Sequence, residues 1–469
     1  MKQALICLLI GTIALVVYWG SLPGAFHFDD LPLLLDSPRV SSPAFDYGAF
    51  AEMYGGRPLT LWVFHLEYRL FGRDPLAFHV VNVFLHLLAA VLLYLWIRRW
   101  QASAALAFIA ALIFIVHPAQ AQVVDYVWAR SLELMAVFGF GALLLVRRHP
   151  WWALLVLQLA VWSRAEALVF LVPLILLDRR LLRPALALGA VDLAAFVYGY
   201  MLASPAEFGW NHPGWWSFWL QAPGRLLHYL GWLVWPNAFS VYHDAASASL
   251  LHQAIAVFVL AGLALWTRIA RHRLDAVWIG LAWTVLFLLP SVLIPNSEPF
   301  SESRVYVALA GMAVAAACGI RVAAESLGTR LRGTGRRRIA EGFLVAVLVV
   351  PSVVVTQERH RVWADDVALW REAVRSEPDA VLPNYNLAVA LSNRDRTEEA
   401  CRFFRRSVHL NPRDDMSYSG LGYCAEVSGQ IHRAAGYYSR ALSLNTDNEY
   451  AREALDRLGL SPASGEGRP

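Results

Sequence analysis

Charge is scarce in this chain: 16% of its 469 residues are Asp, Glu, Lys or Arg, against 58% hydrophobic, a balance far from that of soluble domains. Lysine occurs once, at Lys2, so arginine supplies every other basic side chain. Cysteine is sparse too. Cys7, Cys318, Cys401 and Cys424 contain no CxxC pair, which excludes a thiolate metal finger and a dithiol redox motif. Only Cys401 and Cys424 are placed to meet, and in helical repeats such residues are more often core. The net charge of +4 gives no field suited to nucleic acid.

What the chain has instead is apolar length. Its mean hydropathy is +0.45, and runs near 4–19, 78–97, 104–116, 127–146, 151–162, 167–177, 184–202, 250–266, 276–294, 305–320 and 342–355 predict about 11 membrane spans. The first run follows Lys2 without a convincing cleavage site and reads as an anchor. With a cytoplasmic N-terminus, Arg98-Arg99, Arg147-Arg148, Arg179-Arg180 with Arg183, the 268–273 cluster and the 321–338 cluster all fall inside, as the positive-inside rule requires. An odd number of spans exports the C-terminus. The expected location is a multi-pass plasma or inner membrane, with the C-terminal part extracytoplasmic. The break between 162 and 167 carries Ser163-Arg164-Ala165-Glu166, a charged pair that must face protein or water at that depth.

Three stretches assigned outside are longer than turns: 21–77, 203–249 and everything after Gln357. Pro58 to Phe71 mixes polar and apolar residues at helical spacing, and Trp215 to Trp235 is tryptophan-rich. Both predict helices lying in the membrane interface. After Trp363 the composition turns soluble and repeats at an offset of 34 residues: Leu387 with Leu421, Ala388 with Gly422, Ala400 with Ala434, Phe404 with Tyr438, Ser407 with Ala441. That period marks tetratricopeptide repeats. The expected organisation is a transmembrane domain over 1–357, a repeat domain over 358–460 and a disordered tail over 461–469, all-α throughout.

Chemistry concentrates just outside the first run, at Phe26-His27-Phe28-Asp29-Asp30. Two adjacent carboxylates before an apolar segment can be helix caps. At a membrane surface with an apolar wall, a carboxylate can also serve as a general base toward a hydroxyl. Departure of a sugar from a lipid phosphate builds negative charge that guanidinium groups suit. Arg57, Arg130, Arg164 and Arg304 are the candidates, with His79 and His86 on the second run.

Phe28-Asp29-Asp30, Gly56-Arg57-Pro58-Leu59-Thr60, the segment from Phe78-His79 to Leu85-His86, His117-Pro118 and Ser163-Arg164-Ala165-Glu166 together resemble the transmembrane and tetratricopeptide-repeat O-mannosyltransferases and their bacterial relatives. The resemblance implies a GT-C fold with its site open to the exoplasmic side. It also implies a polyprenyl-phosphate sugar donor and neither nucleotide nor obligatory metal as cofactor, with an acceptor protein or glycan as partner. It makes Asp29 or Asp30 the base of an inverting transfer and gives Arg304, Arg57 and Arg164 to the donor phosphate, supported by His79, Asp125, Glu166 and Glu302. Three positions depart from the family pattern. Ser303 separates Glu302 from Arg304, Gln122 stands where the family commonly has Glu with Asp125 three residues on, and Ala165 separates Arg164 from Glu166. The rival expectation is an inactive membrane scaffold displaying the repeats. A secondary transporter would show symmetry between halves, and the sequence has none.

Overall fold

The computed structural model describes residues 2–42, 57–101, 103–203, 214–236, 239–243, 250–270, 275–294, 300–331 and 334–460. The expected tail at 461–469, and Gly56 of the arginine motif, lie outside these. Every regular element among the described residues is helical. The chain divides into two units, residues 1–239 with 245–364, and residues 365–469 with the short segment 240–244. The division falls beyond residue 357 because the last long helix of the first unit, Thr334–Trp363, continues through the polar residues that follow its apolar run.

Five helices among the described residues are long and apolar enough to cross a bilayer: Pro75–Trp100, Val127–Leu145, Asp275–Leu293, Ala308–Leu327 and Arg336–Trp363. Ala104–Val116 and Pro118–Asp125 make a sixth if they are one broken span, bent by 56°. The bend has a local cause. Pro118 cannot donate a backbone hydrogen bond, and His117 before it is extended at φ −69° and ψ 126°, its Nδ1 accepting from the Ala119 amide at 3.2 Å. Where the sequence suggests eleven spans, five or six of full length stand among the described residues. The helices Gln3–Val17 and Pro150–Ser163 and the segment Ala165–Leu177 are apolar but shorter.

The solvent of this unit is readable from what it leaves uncovered. Ile339, Phe343, Val347, Val350 and Val354 recur at helical spacing along Thr334–Trp363 and are all more than half exposed. In water such a stripe would be a severe liability, whereas in lipid it costs nothing. Inside, small residues set the approach of helices. A Cβ placed on Gly280 would lie 2.4 Å from the Gly311 carbonyl oxygen, and one on Gly311 would lie 2.2 Å from that of Gly280. The helices Asp275–Leu293 and Ala308–Leu331 therefore meet backbone to backbone, and Thr284 Oγ1 donates across the crossing to the Ala308 carbonyl at 3.1 Å.

The second unit consists of the helices Asp366–Ser376, Val381–Ser392, Thr397–Leu410, Asp415–Val427, Ile431–Leu444 and Glu449–Arg457. Residues matched at the 34-residue offset are buried in pairs, Leu387 with Leu421, Ala400 with Ala434, and Phe404 with Tyr438. Gly422 stands against the Tyr438 ring, which a Cβ there would meet at 2.3 Å. Cys401 and Cys424, on facing helices, form a disulfide across 23 residues of sequence instead of serving as plain core residues. Closing a loop of that size stabilises a domain by about 3 kcal/mol. Reduction of the full-length protein, or the Cys401→Ser/Cys424→Ser variant, is expected to expose this unit to proteolysis at lower denaturant. Identical cleavage with and without reductant would contradict this.

Candidate active site

The two carboxylates of the Phe28–Asp30 turn are treated differently by the fold. Asp30 is fully buried and accepts two backbone hydrogen bonds, from His27 N to Oδ2 at 3.0 Å and from Trp128 N to Oδ1 at 2.8 Å. It pins the loop both to itself and to a segment nearly a hundred residues away. Burial pushes its carboxyl up to about 7, against the opposing pull of those amides and of His27 and Arg130. The expected cap on the Leu31–Leu35 segment is absent: the capping bond runs backward, from Asp30 to the His27 amide.

Asp29 is only half-buried, and its Oδ2 accepts from the Tyr126 hydroxyl at 3.0 Å. Its Oδ1 takes no hydrogen bond from the described residues. Phe28 holds φ at 47°, in the left-handed region that aromatic residues rarely adopt. The strain is held by aromatic packing. Phe28 meets Tyr126 edge-on at 5.7 Å and Trp363 edge-on at 6.3 Å, while Tyr126 stacks on Trp363 at 5.9 Å. His27 Nε2 donates to the Trp363 carbonyl at 2.6 Å. His79 closes the other side, its ring lying where any Cβ on Gly24 would come within 2.5 Å.

Beside this loop lies a cluster of opposite sign. Arg57 precedes Pro58, which starts the helix Pro58–Phe71. Arg164 ends Pro150–Ser163 in an extended conformation, φ −163° and ψ 128°. The two helices are tied by Thr60 Oγ1, which donates to the Ser163 carbonyl at 3.0 Å. Arg164 pairs with Glu166 at 2.8 Å and reaches Ser131 Oγ at 3.3 Å. Burial, then the like charge of Arg164, lowers the Arg57 guanidinium to about 10, with Glu166 and Asp29 pulling the other way. Burial opposes ionisation of Glu166 as well, but Arg164 and Arg57 outweigh it and hold that carboxyl below its usual range. Two guanidinium groups therefore share one carboxylate, within electrostatic reach of Asp29. A cavity of about 190 Å³ opens here, lined by Arg57, Thr60, Leu61, Phe64 and Trp128. Phe64 and Trp128 stack in it, 5.7 Å apart and nearly parallel.

The remaining candidates fall into other groups. Arg304, in the turn Glu302–Val305, bonds to the Tyr229 side chain and lies near Arg225. Glu302 faces Arg359 at 3.5 Å. Asp125 is bound through both oxygens by His360 Nδ1, at 2.9 and 2.8 Å. Gln122 accepts from the Ser303 amide at 2.6 Å, so this amide fixes the late loop from the broken helix. Arg130 is a structural clamp, fully buried between Glu67, Asn82 Oδ1 at 2.7 Å and the Phe78 carbonyl at 2.8 Å. His86 is a core residue that bonds the Tyr306 hydroxyl at 2.8 Å. Among the described residues no group of three His, Cys, Asp or Glu side chains is arranged to hold a metal ion.

Tyr126, Trp128 and Trp363 are the site residues that sequence reasoning passes over. The one signal for the first two is local: aromatics flanking Val127 directly after Asp125, at the start of the apolar run 127–146.

Comparison with known proteins gives partial matches of one kind. Protein O-mannosyl-transferase TMTC1 of Homo sapiens is 34% identical over 121 residues, covering 23% of this chain and 14% of that protein. Protein O-mannosyl-transferase TMTC3 of Mus musculus is 30% identical over 128 residues, 25% of this chain and 14% of its own length. Protein O-mannosyl-transferase F38B6.6 of Caenorhabditis elegans is 26% identical over 132 residues, 25% of this chain and 19% of its own length. The chain thus spans less than a fifth of these relatives. No family model matches the chain, and no solved structure does. Over about a quarter of its length this membrane protein is similar to the protein O-mannosyl-transferases.

Proposed function

We propose that this protein is a GT-C-type membrane glycosyltransferase. It moves a monosaccharide from a polyprenyl-phosphate donor to a hydroxyl of an exported protein or envelope glycan, on the exoplasmic face. The observation that carries this reading is Asp29, whose Oδ1 takes no hydrogen bond from the described residues, within electrostatic reach of Arg57, which shares Glu166 with Arg164 and lines a cavity. Homology to O-mannosyl-transferases supports the reaction class.

In this reading Asp29 Oδ1 takes the proton of the acceptor hydroxyl as its oxygen attacks the anomeric carbon. The bond from that carbon to the phosphate oxygen breaks on the opposite face, its electron pair leaving with the polyprenyl phosphate. The configuration inverts, as in inverting sugar hydrolysis. Arg57 and Arg164 take the charge that develops on the phosphate. The stacked Phe64 and Trp128 rings offer the sugar a flat apolar face. Arg304, held at Tyr229, is assigned to the donor's phosphate from the late loop.

The sidedness has two supports. Arginine clusters sort to one side when the N-terminus is cytoplasmic. The Cys401–Cys424 disulfide, a bond that oxidising compartments favour, supports an extracytoplasmic second unit, where tetratricopeptide repeats would present an acceptor. Full-length protein incubated with a panel of radiolabelled polyprenyl-phosphate sugars and membrane extract tests the reading. Transfer names the donor, and no transfer or donor binding on a panel competent with an active relative leaves the scaffold. The arginine assignment is separable: Arg57→Ala and Arg164→Ala are each expected to raise the donor KM about tenfold or more, as loss of a charge-assisted bond of roughly 1.5–3 kcal/mol requires. An unchanged donor KM in both would return the pair to a structural role.

A further inference from the structure

We infer that Tyr126 is the positioning residue of this site, holding the Asp29 carboxylate through Oδ2 so that Oδ1 faces the acceptor hydroxyl. The inference rests on Asp29 being the base.

Tyr126 is an extended residue, φ −100° and ψ 109°, between the half-helix Ala121–Asp125 and the turn Val127–Ala129. Two residues on, the Trp128 amide holds Asp30. One short segment therefore governs both carboxylates, fixing Asp30 by a backbone N–H and Asp29 by a phenol. A backbone amide has no freedom to reorient, whereas a phenol does unless its ring is clamped. Here it is clamped on two sides, by Trp363 stacked at 22° and by Phe28 edge-on at 82°. Trp363 is itself fixed through its carbonyl to His27, on the same loop as Asp29. The chain of contacts closes on itself: Asp29 to Tyr126, Tyr126 to Trp363, Trp363 to His27, and back to Asp29 through Phe28.

A carboxylate on a half-exposed turn would otherwise sample rotamers, and a general base must be held within hydrogen-bond reach of its proton. The phenol donates to the Asp29 carboxylate while its oxygen takes the Asp29 backbone N–H, so the hydroxyl grips both ends of the residue. Burial, then the charges of Asp30 and Asp29, raise its pKa far above the usual tyrosine range, so it keeps its proton at any working pH. Removing the hydroxyl while leaving the ring should spare the aromatic packing and release Asp29, its carboxylate and its backbone N–H together.

The test compares Tyr126→Phe and Asp29→Asn with the unmodified full-length protein, using the polyprenyl-phosphate sugar on which the latter is active. Tyr126→Phe should lower kcat about 10- to 100-fold, the range of a hydrogen bond to a charged group, with donor and acceptor KM within twofold. In the Asp29→Asn background it should change nothing further, because the two residues act as a unit. Asp29→Asn inactive with Tyr126→Phe at full kcat would overturn the positioning role alone. So would a raised KM at constant kcat, which would make Tyr126 a substrate contact. Full activity of Asp29→Asn would remove the base and this inference with it. Should Tyr126→Phe fail to fold, ring-fluorinated tyrosine at position 126 keeps size and donor while making the phenol more acidic. A lower kcat at constant KM is then expected, and an unchanged kcat overturns the inference.

Discussion

Asp29→Asn is expected to lower sugar transfer by about 100- to 10,000-fold, the contribution of a positioned general base, in a protein that inserts and purifies normally. The substitution is close to isosteric and the residue is half-exposed. The one described hydrogen bond of its side chain comes from Tyr126, whose hydroxyl can still donate to an amide oxygen. Little stability is therefore at stake, and the loss should appear in kcat. Donor binding should survive, because Arg57 and Arg164 keep Glu166 as their counter-ion. Steady-state kinetics beside a donor-binding assay separate these effects. Undiminished transfer by Asp29→Asn would leave the acidic turn a structural feature.

Much of this was legible from residue types. The charge scarcity and apolar runs gave the bilayer, the 34-residue offset gave pairs that are buried together, and Arg164 with Glu166 marked a break where the helix Pro150–Ser163 does stop. The acidic turn and Arg57 came from local pattern and resemblance, and the fold brings them within electrostatic reach of each other. What sequence could not do was tell Asp29 from Asp30, since adjacent carboxylates look alike along a chain. The fold separates them with groups from far away: the Trp128 amide and the Tyr126 hydroxyl are 98 and 97 residues distant, and the Trp363 carbonyl bonding His27 is 336. Arg130 failed for the same reason. Among external arginines it resembled a phosphate ligand, but Glu67, 63 residues earlier, had already claimed it. The span count rests on a different limit. Hydropathy registers apolar length and misses the 56° bend after Val116, so it does not tell a broken span from a whole one.

Asp30 should reveal itself through stability and its dependence on pH. The folded protein holds its proton up to about pH 7, while an unfolded chain releases it near the ordinary value of 3.8. Between those values the folded state binds more protons, so stability falls as pH rises through this window; the contribution is fully present below 3.8 and lost above about 7. A shift of this size corresponds to something on the order of a few kcal/mol, large for one side chain. Thermal unfolding of the first unit in detergent should therefore move to lower temperature as pH rises from about 4 toward 7. Asp30→Asn carries no titrating proton and should lose that slope. It should also be less stable at the acidic end, because an amide nitrogen facing the His27 or Trp128 N–H leaves a buried donor unsatisfied, at about 1–3 kcal/mol. Equal pH slopes in the two proteins would assign the effect to other groups. Any residual transfer by Asp30→Asn would then measure how far the loop's anchoring, as distinct from its base, supports catalysis, because Asp30 holds in place the turn on which Asp29 stands.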